Sequence, residues 1–169
     1  MTVNDLAQGL DKGKQIDLIL LDFSKAFDKV SHKKLLAKLE YYGVEGSCLG
    51  WVGDFLTDRT QTVVLNGQES DSVGVISGVP QGTVLGPLLF LVYINDLPEC
   101  VTSTPRLFAD DSALYRVIDS TEDAKALQDD LDRLQAWEAK WSMEFNPDKC
   151  EVIRITNKRR VIQTNVPGL

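Results

Sequence analysis

Apolar positions recur along the chain in two rhythms, and each predicts an element. Ile16 to Leu21 (IDLILL) is a nearly continuous apolar run ending at Asp22, the pattern of a central strand buried on both faces. Upstream, Leu6 and Leu10 lie four apart and Gly13 follows, which predicts the tail of a helix over 1–14 with a glycine stop. Phe23 to Asp28 reads as a turn. Ser31 then caps a helix to about Tyr42, with Leu35, Leu36 and Leu39 on its inner face and Lys33, Lys34 and Lys38 on a solvated one. A second helix is predicted from Ser47 to Leu56. Thr60 to Leu65 and Asp71 to Ile76 read as strands around the turn Asn66-Gly67, and Arg59 just before them reads as a surface charge. Val84 to Asp96 is apolar nearly all round, which predicts a deeply buried helix. Leu107, Phe108 and Ala109 end one strand and Ser112 to Val117 start another, with Asp110 and Asp111 at the turn between them. Ser120 or Thr121 opens a long amphipathic helix to about Trp141. Leu127, Leu131, Leu134, Trp137 and Trp141 mark its inner face, and Asp123, Asp129, Asp130, Asp132 and Glu138 its outer one. Asn146-Pro147-Asp148 turns into a last strand, Glu151 to Ile155, and residues 157–169 read as a frayed end.

That order is strand, helices, strand, hairpin strand, helix, strand. It predicts an α+β fold, a ferredoxin-like β-α-β-β-α-β sheet with helices on one face and a small inserted β-hairpin. In such a sheet the first strand and the middle hairpin can be neighbours, which would bring Asp22 to Asp110 and Asp111 at one edge. Composition adds limits. At 169 residues and 43% hydrophobic, the chain can bury one core. A net charge of −7 argues against an unaided nucleic-acid binder and suits a carboxylate site whose charge bound cations offset. Three scattered cysteines and the single His32 argue against a zinc site or a disulfide framework, and reduced intracellular thiols are expected. The start lacks the apolar core of a signal peptide, and the apolar stretch 84–94 is too short to span a bilayer, so no membrane partner is expected.

Two stretches carry candidate chemistry. Ser77 to Gly86 (SGVPQGTVLG) is rich in glycine and nearly free of charge, and its glycines let the backbone approach something closely. Carboxylates converging at strand ends can hold two divalent ions about 3.5–4 Å apart and activate an in-line phosphoryl displacement. With no His or Cys ligand, hard oxygen donors suit Mg²⁺. The class indicated is phosphoryl or nucleotidyl transfer, and the residues alone leave polymerase, cyclase and nuclease open.

DFSKAFDKVSH, SGVPQGTVLGPLLF, INDLP and FADDSAL together resemble the palm motifs of reverse transcriptases, above all those of non-LTR (LINE-type, jockey-like) retrotransposons. The resemblance runs from about Gly13 to Thr156 and implies a partial palm over 1–156 followed by a tail over 157–169, with fingers and thumb largely missing. It implies that Asp22, Asp110 and Asp111 are catalytic carboxylates binding two Mg²⁺ ions (or Mn²⁺), with the Phe23 carbonyl as a further metal contact. Phe27 matches the residue that stacks under the sugar and excludes a 2′-OH. Gln81 and Gly82 match contacts to the incoming nucleotide and template, Phe108 and Ala109 lie under the primer terminus, and Lys149 (NPDKCEV) matches the lysine proposed to protonate the pyrophosphate. Asp28 and His32 belong to the pattern without a catalytic role. The implied partners are an RNA template, a DNA primer and deoxynucleoside triphosphates. The implied activity is RNA-directed DNA synthesis for retrotransposition, and the alternative is a catalytically silent palm remnant. A nucleotidyl cyclase is disfavoured, because GVPQG is a polymerase feature and the cyclase turn is missing.

Overall fold

The strand predicted at the first apolar run is the hub of the main sheet. The computed structural model describes residues 2–164. In chain order they form α1 (Thr2–Asp11), β1 (Gln15–Asp22), α2 (His32–Tyr41), α3 (Gly46–Leu56), β2 (Thr60–Gln61), β3 (Val64–Leu65), β4 (Gln68–Glu69), β5 (Val73–Gly74), α4 (Leu85–Ile94), a short 3-10 helix (Leu97–Cys100), β6 (Thr104–Phe108), β7 (Asp111–Ile118), α5 (Thr121–Trp141) and β8 (Glu151–Ile155). They fall into two units: residues 25–95, and the segments on either side of them.

The sheet unit has four antiparallel strands in the order β6-β7-β1-β8. Residues opposite one another in an antiparallel pair share a face, and the faces alternate along each strand. One face presents Ile19, Leu21, Leu114 and Ile118, all buried. Helix α5 packs on β7 and buries Leu127, Leu131, Leu134 and Trp137. Burying each such side chain stabilises by roughly 1.5–3 kcal/mol. The other face carries Ile16, Leu18 and Tyr115, against which Leu6 of α1 packs. Helix α5 starts at a capping box: Ser120 and Asp123 satisfy each other's backbone N–H groups. Backbone bonds set Asp123 below the ordinary carboxylate value, outweighing the upward push of burial.

Two acidic residues of this unit are buried completely. Asp17, inside the run read as apolar, is held by Arg154 at 3.1 Å and by Thr164 at 2.6 Å. Asp130, predicted on the solvated face of the long helix, instead reaches the backbone N–H groups of Thr102 (2.9 Å) and Ser103 (2.7 Å). It lies three residues after Leu127 and four before Leu134, so helical periodicity puts it on the inner face. The predicted frayed end is partly engaged too: the Ile162 N–H donates to Gln15 at 3.0 Å. Residues 165–169 of that stretch lie outside the described residues.

In the 25–95 unit, α2 packs on both α3 and α4. Lys38, predicted on a solvated face, is buried, donates to the Tyr93 carbonyl and lies 5.1 Å from the Tyr93 ring. It is three residues after Leu35, again on the inner stripe. The inserted hairpin forms as two short ladders, β2 with β5 and β3 with β4, because the Ser70 hydroxyl accepts from the Val63 N–H and interrupts the pairing. Helix α4 is not buried all round: Leu88 and Leu91 are 55% and 47% exposed, so an apolar stripe reaches the surface. Among the described residues no helix is long and apolar enough to cross a membrane.

Candidate active site

The end of β1 carries Asp22, and its register partner across the ladder is Asp111, the first residue of β7. The two therefore point to the same face. The turn of the hairpin is Ala109-Asp110, so Asp111 belongs to a strand and only Asp110 to the turn, a shift of one residue from the sequence expectation. Ala109 has φ 53°, a left-handed conformation unusual for a residue with a Cβ. Phe108 is 82% exposed.

The face holding both aspartates opens as a cavity of about 670 Å³, lined by Leu20, Asp22, Arg106, Phe108, Asp111, Ala113, Lys149 and Glu151 among others. Arg106 and Glu151 were not anticipated. Period-2 alternation could have found Arg106, which shares a strand face with Phe108. Arg106 is tied to Asp5 at 3.2 Å, and Tyr115 donates to the same carboxylate at 2.8 Å. The tyrosine's bond holds the Asp5 carboxyl below its ordinary value, and burial, then that bond, push the Tyr115 phenol up.

Lys149 reaches Asp22 because the loop after α5 is stitched to the end of β1. The Ser24 N–H donates to the Glu144 carbonyl at 2.8 Å, and the Asn146 N–H donates to the Asp22 carbonyl at 2.7 Å. Phe23, buried, stacks on Phe145 with ring centres 4.5 Å apart. The turn then closes from the Lys149 N–H to the Asn146 carbonyl at 3.0 Å, and the Lys149 ammonium stands 3.2 Å from Asp22 Oδ2. This is an ion pair without hydrogen-bond alignment, so Oδ2 is a buried acceptor with no hydrogen-bond donor. Beside it, burial pushes the Cys150 thiol up.

An orphaned carboxylate oxygen facing the same side as a second carboxylate is the donor chemistry a hard divalent cation takes. The fit is incomplete as the side chains stand. Among the described residues, no three His, Cys, Asp or Glu side chains converge closely enough to hold a metal ion. Asp22, Asp111 and Lys149 are brought together, and Asp110 stands beside them at the turn.

The remaining candidates lie in the 25–95 unit. The Phe27 ring is half-buried, 4.5 Å from that of Phe90. Gln81 is exposed and donates to Asp28 Oδ1 at 3.0 Å. The loop beneath it is fastened to the chain after Phe27: Gly78 N–H to Val30 carbonyl and Val79 N–H to Phe27 carbonyl, both 2.8 Å, and His32 Nε2–H to Gly78 carbonyl at 2.7 Å. The glycines divide by role. A Cβ on Gly78 would meet the Asp28 backbone at 2.9 Å and one on Gly86 the Pro80 carbonyl at 2.3 Å, so these two serve packing of the chain on itself. Of the three glycines in this loop, Gly82, at φ +77°, is the one where such a Cβ would meet nothing within 4 Å.

The profile described as reverse transcriptase (RNA-dependent DNA polymerase) matches residues 3–165. The RNA-directed DNA polymerase from mobile element jockey of Drosophila melanogaster is 35% identical over 150 residues, covering 82% of this chain and 16% of that protein. Its counterpart from Drosophila funebris is 31% identical over 170 residues, covering 94% and 18%. The probable RNA-directed DNA polymerase from transposon BS of Drosophila melanogaster is 35% identical, covering 85% and 17%. The chain thus spans less than a fifth of the length of these curated relatives. Among solved structures, telomerase from Candida albicans, in complex with a TWJ fragment of telomeric RNA, superposes with TM-score 0.66 at 14% identity, over 96% of this chain and 32% of that one. That likeness concerns the fold.

Proposed function

The chain belongs to the reverse transcriptase (RNA-dependent DNA polymerase) family, and from that premise we propose that it is the palm of an RNA-directed DNA polymerase of a non-LTR retrotransposon. The sheet order β6-β7-β1-β8, with helices after β1 and after β7, supports reading it as the ferredoxin-like palm, with residues 1–156 as the palm and 157–169 as its tail. The substrates are a DNA primer 3′-OH on an RNA or DNA template and deoxynucleoside triphosphates, and the setting is intracellular.

The observation that carries the reading is the pairing of Asp22 with Asp111 beside the orphaned Asp22 oxygen. Asp22, Asp111 and, after rotation at the turn, Asp110 would hold the divalent ions, with the Phe23 carbonyl as a further donor. Mg²⁺ (or Mn²⁺) supplies Lewis acidity toward the attacking hydroxyl and the leaving phosphate. The chain's own residues do the rest. Lys149, poised at Asp22, offers an ammonium to the departing pyrophosphate. Phe27 presents a ring that rejects a 2′-OH, Gln81 and Gly82 meet the nucleotide and template, and Phe108 with Ala109 supports the primer end. The alternative of a silent remnant is not favoured, since the family match spans 3–165 and every motif carboxylate is in place.

The test is primer extension on primed RNA with deoxynucleotides and Mg²⁺, by a protein of the relatives' length that carries this segment. Extension is expected, and Asp110→Asn should abolish it; undiminished extension by that variant would sink the assignment. Phe27→Ala should admit ribonucleotides that the native protein excludes.

A further inference from the structure

We infer that a polar pocket of the 25–95 unit, built around Arg59 and Lys25, takes a phosphodiester group of a single nucleic-acid strand. The inference rests on the polymerase reading above and extends it to a residue that the sequence marks only as a surface charge. The pocket has a volume of about 500 Å³ and is lined by Lys25, Asp28, Arg59, Thr60, Ser77 and Gln81, among others.

Three observations point to a phosphate. First, neither the Arg59 guanidinium nor the Lys25 ammonium has an ion-pair or hydrogen-bond partner among the described residues, in a chain whose net charge is −7. The arginines of the sheet unit that carry Asp partners (Arg106, Arg116, Arg133 and Arg154) contrast with this. A half-buried arginine without an ion-pair partner is fitted to take an external oxyanion bidentately. Second, the lining carries these two cations and one carboxylate, Asp28, which leaves a single positive charge on it. That balances one phosphodiester and falls far short of a triphosphate. Third, the rest of the polar lining is uncharged: Thr60 and Ser77 hydroxyls and the Gln61 and Gln81 amides, side chains that contact strand backbones without reading sequence. Gln81 itself donates to Asp28, which joins the pocket to the loop proposed to meet the template.

Arg59 serves the fold through its backbone, accepting from the Val75 N–H at 2.8 Å. Arg59→Gln therefore leaves the β2–β5 ladder in place, and circular dichroism checks this. The test measures fluorescence anisotropy of labelled single-stranded RNA with the 169-residue chain over a range of salt. Arg59→Gln is expected to weaken binding several-fold, equally for U-rich, A-rich and C-rich oligonucleotides, and to make the log–log salt slope shallower by about 0.7. Arg59→Lys should keep the native slope. Titration of dATP should give the same affinity for native and Arg59→Gln chains. An unchanged salt slope, a loss confined to one base composition, or a loss of dATP rather than oligonucleotide binding would each overturn the proposal. Because the readout is binding, its failure is distinct from failure of primer extension by the longer protein.

Discussion

β3–β4 and β6–β7 are both hairpins closed by two residues, Asn66-Gly67 and Ala109-Asp110. The first uses residues suited to its geometry: φ is 52° and 78°, both positive, and Asn-Gly tolerates this best. Its strands are two residues long, and Val64 and Leu65 are exposed. The second has φ 53° at Ala109 with no positive φ at Asp110, a sign pattern that favours glycine at its first position. Yet β7 runs for eight residues and pairs with β1 along its whole length. The relaxed turn closes a ladder of two residue pairs, and the strained turn one of five pairs whose second strand is also held by β1. Strain of about 1–3 kcal/mol persists only where the surroundings over-determine it, and here it falls at the residue before Asp110.

The largest loss is expected at Asp130, which fixes the start of β6 through Thr102 and Ser103. Asp130→Ala leaves those donors without a partner and should cost about 3 kcal/mol in urea denaturation. The equivalent change at the other hairpin, Ser70→Ala, removes one exposed bond to the Val63 N–H and should cost under about 1 kcal/mol. The pH dependence follows from the same carboxylate. Burial alone would push Asp130 up, but hydrogen bonds from Ser103 and Thr102 outweigh it and leave the carboxyl below its ordinary value of 3.8. A depressed folded-state pKa means its stabilisation is complete above about pH 4 and lost as pH falls through the lower folded value. Acid titration of stability should therefore show a loss below pH 4 that is reduced in Asp130→Asn. Smaller effects separate the turns themselves. Gly67→Ala should destabilise by about 1 kcal/mol, and Ala109→Gly should stabilise by up to about 1 kcal/mol. Destabilisation by Ala109→Gly would show that the turn is relaxed.

Most elements were legible because periodicity is local: Glu151–Ile155 and the helix capped by Ser120 appear where the pattern puts them. The errors share a cause. Lys38 and Asp130 read as solvated by residue type, whereas position decides their fate; each falls on an inner stripe and finds a buried partner. Asp22, Asp110 and Asp111 were legible as candidates, and so was Lys149. The register that pairs Asp22 with Asp111, and the unpaired state of Arg59, depend on contacts between segments distant in sequence. No local pattern carries those.

The proposed divalent-cation site of Asp22, Asp110 and Asp111 lies at the strained hairpin. Calorimetric titration of Mn²⁺ into the chain tests it most directly, alongside Asp22→Asn and Asp110→Asn variants whose fold is verified by circular dichroism. Binding by the native chain and its loss in both variants is the predicted result. Equal Mn²⁺ affinity in all three would contradict the assignment.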